Sequence, residues 1–177
     1  MWLMHRVFGL GLALSVGMGL LGGSAVYAQT QAQTQAQTPE SQAAVLTFQD
    51  QWGQSHALNQ KTRWVVYSHH MAGNDWVKGA FQQLKLQDLD RHQLLYVADI
   101  SGMPSLVSKW MAVPAMQEYA FPIALVRDSE RLADWPRVQD QVSVFEYQAG
   151  QRVAEHAFAS REALQIFLSL NVLSDDD

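Results

Sequence analysis

The sequence predicts an α/β fold, a mixed central β-sheet with helices on both faces. Three observations carry this. Two short apolar runs, Trp64–Ser68 and Leu94–Ala98, are near-continuous and rich in β-branched and aromatic residues, as strands covered on both faces are. A segment of helical spacing follows each of them. A hairpin and one more amphipathic helix then close the chain, so the order changes from β-α-β to β-β-α.

Taken in order, Val45 to Phe48 reads as a short apolar strand, Asp50 to Gln54 as a turn, and Ser55 to Leu58 as a returning strand. After the Trp64 strand, Trp76, Val77, Ala80, Phe81 and Leu84 fall at i, i+1, i+4, i+5 and i+8, one face of a helix. Asn74 or Asp75 is placed to cap it. The Leu94 strand ends at Asp99. The next helix has Pro104 in its first turn, where a missing N–H costs little, and Pro114 at its end. Leu106, Val107, Trp110 and Met111 form its apolar stripe, and Trp76 and Trp110 are both expected in the core. Phe121 to Val126 is a strand entered through a proline, followed by the polar break Arg127 to Glu130. Val142 to Tyr147 alternates, Gln148 to Gln151 turns, and Arg152 to His156 pairs back as an edge strand. Ser160 caps a final helix with Ala163, Leu164, Phe167 and Leu168 on one face.

The ends are of another kind. Residues 1–28 have the order of a secretory signal peptide: a weak positive start at His5 and Arg6, the apolar run Val7 to Leu21, and Val26-Tyr27-Ala28 before Gln29. The expected location is therefore periplasmic, with membrane association only if that segment is retained. Residues 29–44 are a Gln/Thr/Ala-rich linker too polar to offset its own ordering entropy. Residues 45–173 form the domain, and 174–177 an acidic tail.

The chain has 177 residues, a formal net charge of -5 and no cysteine. Its length suits one domain with its own core. The mild acidity gives no basis for a nucleic-acid partner. The lack of cysteine excludes disulfides, thiolate catalysis and cysteine-ligated zinc or iron–sulfur clusters.

This order of elements resembles the thioredoxin-like fold. The Trp64–Ser68 strand is similar to the one that delivers the redox motif, and His69 to Asp75 occupies the place of the Cys-x-x-Cys. Phe121-Pro122-Ile123 resembles the cis-proline step that faces the motif. The Tyr96 to Pro104 segment, Tyr-Val-Ala-Asp-Ile-Ser-Gly-Met-Pro, is similar to one in small exported bacterial proteins of unknown role. Some of those are labelled flavin-dependent dehydrogenases. No Gly-x-Gly-x-x-Gly follows a strand here, so no flavin or other cofactor is expected. The resemblance implies the scaffold of a thiol oxidoreductase without its nucleophile.

Three kinds of function follow as expectations. The first is a binding or accessory module, chaperone-like or envelope-associated, whose partner is a periplasmic or envelope protein or peptide. Its binding rim would comprise Asn74, Asp75, Asp99, Tyr119, Phe121 and Pro122, with Trp135 as a surface aromatic. Asp99 also has a simpler role, as acceptor for the backbone N–H groups that follow it. The second is a copper or other metal site on His69, His70 and Met71, with Met103, Met111 and Met116 nearby, because imidazole and thioether ligands suit copper. The third is a small enzyme at the same rim, with Ser68, His69 or His70, and Asp75 or Asp99 as a triad. No Gly-x-Ser-x-Gly or His-Glu-x-x-His motif accompanies them.

Overall fold

A computed structural model describes residues 46–174. The signal-peptide and linker assignments, and all of the acidic tail but Ser174, lie outside the described residues.

Seven strands form one mixed sheet: β1 Thr47–Gln49, β2 Ser55–Ala57, β3 Trp64–Ser68, β4 Leu94–Asp99, β5 Ala124–Val126, β6 Val142–Gln148 and β7 Gln151–Phe158. Their order is β2-β1-β5-β4-β3-β6-β7. β3, β4 and β5 run parallel, and the other neighbours pair antiparallel. The central position of β3 and β4 explains their apolar runs: every residue of both is buried. β5 is shorter than the apolar run from Phe121 suggests, beginning only at Ala124, because a proline supplies no N–H to a ladder. The β6–β7 turn uses Ala149 and Gly150, both at positive φ, as a two-residue hairpin requires.

Side chains alternate across the sheet and make two cores. One holds Val66, Tyr96 and Val144 against Val77 and Phe81 of α1 (Met71–Leu84) and Leu164 and Leu168 of α4 (Arg161–Asn171). The other holds Val65, Tyr67, Val97 and Phe145 under Leu132 and Trp135. The cover on this second face is one 3-10 turn, Ser129–Leu132, and the loop after it. Trp135 is therefore a core residue and not the expected surface aromatic: its ring meets Tyr67 edge-on at 5.0 Å and Phe145 at 4.9 Å. A face without a long helix needs a large side chain to close it.

The connection from β4 to β5 departs most from expectation. It comprises α2 (Ser105–Val107), a wide π-helical turn (Ser108–Ala112) and α3 (Val113–Met116). Pro114 does not end the helix. It sits in the first turn of α3, and the N–H of Val113 reaches back to the Ser108 carbonyl. A wide turn ahead of the proline is an arrangement that eases the clash of its ring with the carbonyl four residues back. Trp110 is also not in the core: Leu106, Val107, Trp110 and Met111 are all exposed, while Ser108 faces inward.

Candidate functional site

The C-terminal ends of parallel strands are the usual place for a site in an open α/β sheet. Here β3 ends at Ser68, followed by His69 and His70, and α1 begins at Met71. The helix cap is His70, not Asn74 or Asp75. Its Nδ1 accepts the Gly73 N–H at 3.0 Å. Its Nε2 lies 3.0 Å from the Gln141 carbonyl oxygen and 3.1 Å from the Gln141 backbone nitrogen. Gly73 permits this: a Cβ there would stand 3.1 Å from the His70 ring and 3.3 Å from Val142.

His70 is thus occupied at both nitrogens, and its partner Gln141 immediately precedes β6. A metal ligand needs a free ring lone pair. His69 stacks on Tyr67 at 6.0 Å and meets His70 edge-on at 4.9 Å. Burial, then the neighbouring His70, pushes His69 below its ordinary value, so the ring favours its neutral form. Met71 is exposed at the first position of α1. Among the described residues no three His, Cys, Asp or Glu side chains gather as a metal ion would need.

Beneath the first turn of α1 lies a closed polar group. The Asn74 side-chain oxygen accepts from Ser68 Oγ at 2.5 Å and from the Tyr96 hydroxyl at 3.0 Å. Ser68 and Tyr96 are also 3.0 Å apart, and both are buried. Burial raises the Tyr96 hydroxyl far above its ordinary range, so it stays a neutral donor. Ser68 faces Asn74 and Tyr96, His70 faces Gly73 and Gln141, and Asp99 faces Arg137. These partners differ from the serine–histidine–carboxylate chain that defines a triad.

A second cluster lies on the other face of the same rim. Asp99 Oδ1 accepts the Ser101 N–H at 2.9 Å, its simpler expected role. Its Oδ2 accepts from Arg137 Nη2 at 3.0 Å and Nε at 3.2 Å, and from the Tyr67 hydroxyl at 3.3 Å. Arg137 also donates to the Ser129 carbonyl at 3.0 Å, which ties the thin second cover to the sheet. Burial alone would raise the Asp99 carboxyl; hydrogen bonds from Ser101 and Arg137 and the guanidinium charge outweigh it and hold the group below the ordinary value.

The remaining expected rim residues are elsewhere. Asp75 is exposed on α1, and Tyr119 lies under the ammonium of Lys78 at 4.5 Å. Phe121 is buried against Phe81 at 5.0 Å. Pro122 follows a trans bond and borders a hollow with Gln87 to Asp90, at the end where β4 begins. With Val97 opposite Ala124, the proline lies near the start of the parallel strands and away from His70. The residue facing the start of α1 is Gln141. The Phe121 loop is held instead by the buried Gln51 side chain, which donates to the Phe121 carbonyl at 2.8 Å and accepts the Ile123 N–H at 2.7 Å. Nothing in the sequence around Gln51, Arg137 or Gln141 signals these roles, since each bond spans more than thirty residues and has no periodicity.

Solved structures bear on this arrangement. The chain is similar to the pneumococcal exposed lipoprotein thioredoxin (Etrx1) of Streptococcus pneumoniae strain TIGR4, at 15% identity and a TM-score of 0.52 over 72% of this chain and 99% of that one. The fold is thioredoxin-like. A further similarity, to the peroxidoxin BcpB of Mycobacterium tuberculosis, has 14% identity and a TM-score of 0.49 over 76% of this chain and 94% of that one. No family model matches the chain, and no curated protein does. Thiol–disulfide exchange requires a thiolate, and this thioredoxin-like chain has no cysteine. It also has no helix, among the described residues, long and apolar enough to cross a membrane.

Proposed function

We propose that the protein is an exported, non-redox thioredoxin-like module that acts by binding a periplasmic or envelope protein or peptide. The observation that carries this is the start of α1. Where a thiol pair would stand, Ser68, Asn74 and Tyr96 bond to one another and His70 closes the helix end. The chemistry is replaced by a rigid, internally satisfied support. Met71 stands exposed above it as a soft apolar contact. Export rests on the composition of residues 1–28.

The test is a photo-crosslinking residue in place of Met71 in the full chain, expressed in cells. A discrete adduct with one envelope protein or peptide is expected, together with no turnover in a disulfide-reduction assay. No adduct, combined with measured turnover of a small substrate, would overturn the reading.

A further inference from the structure

The 105–116 segment is turned inside out. Its inward residues are Ser108 and Met116, and Ser108 bonds only its own turn, Oγ to the Ser105 carbonyl at 3.0 Å. Its outward residues are Leu106 at 71% exposure, Val107 at 42%, Trp110 at 69% and Met111 at 68%. They lie at i, i+1, i+4 and i+5 and make one continuous stripe. Such a stripe offers roughly 500 Å² of apolar side chain, more than scattered surface residues present and less than the about 800 Å² per partner of a stable dimer.

Two further features bear on what covers it. The first is charge: from Ile100 to Gln117 the only charged residue is Lys109, in a chain whose net charge is -5. The Lys109 ammonium lies 5.6 Å from the Trp110 ring. A tryptophan beside a long cationic stem is the pairing favoured at a lipid–water boundary, where the ring sits at headgroup depth and the ammonium reaches water or phosphate. The second is where the preceding chain enters. β1 runs antiparallel to β5 with Gln49 opposite Leu125, so Thr47 lies past Val126, where the Arg131 guanidinium donates to its carbonyl at 2.5 Å. Ile100 bonds Val126 at that same end of the sheet, just before the stripe begins. The chain therefore enters the domain at Leu46 from the end of the sheet where the stripe starts.

We propose that Leu106, Val107, Trp110 and Met111 are a membrane-contact ridge that dips into the headgroup region of a lipid bilayer, with Lys109 as its polar anchor. This contact is separate from whatever the rim at Met71 binds.

The absence of cysteine makes the test clean. Met111→Cys in the full chain gives a single labelling site for an environment-sensitive fluorophore, and Asp88→Cys gives a control site at the other end of the sheet. Vesicles of phosphatidylethanolamine with a minority of phosphatidylglycerol carry a nitroxide quencher at headgroup depth. The label at 111 is expected to be quenched and the label at 88 not. Leu106→Gln with Trp110→Gln is expected to weaken the quenching about tenfold or more, from lost apolar burial. Both substituted side chains are exposed, so the circular dichroism and urea midpoint stay unchanged. A chain that floats with vesicles while the label at 111 stays unquenched overturns the proposal, as does quenching indifferent to the double substitution. A shift of the 111 label that depends on protein concentration or on an added apolar peptide, and not on lipid, also overturns it, in favour of a second copy or a protein partner.

Discussion

α1 and the 105–116 segment begin alike and end differently. Each follows a buried parallel strand. Each places apolar residues at i, i+1, i+4 and i+5: Trp76, Val77, Ala80 and Phe81 in one, Leu106, Val107, Trp110 and Met111 in the other. In α1 the stripe faces the sheet, with Val77, Ala80 and Phe81 buried. In 105–116 it faces away. Periodicity reports that a helix has an apolar face; it does not report what meets that face. α1 has β3, β4 and α4 to pack on. The second segment meets that same core through Met116, flanked by the partly buried Met103 and Val113, and its richer side is left over.

Substitutions in the two segments and their surroundings separate anchoring from exposed side chains. The largest effect is expected at Phe81→Ala, which empties a site packed against Tyr96 and Phe121: a loss of about 3–5 kcal/mol in urea unfolding. A loss under about 1 kcal/mol would show that α1 is not the anchoring helix.

Asp99→Asn comes next, at about 1–3 kcal/mol, since it weakens charge-assisted bonds from Arg137 and leaves the second cover less firmly tied. Its pH dependence has a definite sign. The Asp99 carboxyl is held below its ordinary value, so it stabilises the fold above the unfolded carboxyl's value, and that contribution is lost as pH falls through the folded value. Unfolding midpoints measured through the acid range are therefore expected to fall less steeply in Asp99→Asn than in the parent. Parallel curves would assign the acid sensitivity to other carboxylates, Asp50 first among them, whose value is also lowered.

His70→Ala is expected to cost about 1 kcal/mol through the lost cap. It should leave copper and zinc titrations of the full chain unchanged. A stoichiometric site present in the parent and absent in the variant would restore the metal reading of His69, His70 and Met71. The smallest effect is expected at Met111→Ala, the counterpart of Phe81 by spacing: within about 0.5 kcal/mol of the parent.

Much of the scaffold was legible because its signals are local. The buried strands β3 and β4, the Ala149-Gly150 hairpin and the Ser160 cap, whose Oγ accepts the Ala163 N–H, each depend on residues within one element. The site was less legible because its bonds are not local. His70 read as a ligand or a base, and only the approach of Gln141, 71 residues away, together with the Gly73 N–H, makes it a cap. Pro122 read as the residue opposite the helix start, and the register of β5 puts it at the far end. Trp110 and Trp135 exchanged places for one reason. The sequence marks an aromatic residue as a packing unit, while the amount of cover on each face of the sheet is decided by distant segments.

The membrane role of the ridge is tested at Trp110, because one side chain separates folding from contact. Trp110→Gln in the full chain, with the Met111→Cys label, should leave the urea midpoint unchanged and sharply reduce quenching by headgroup nitroxide. A lowered midpoint with undiminished quenching would contradict it, and would place Trp110 back in the core.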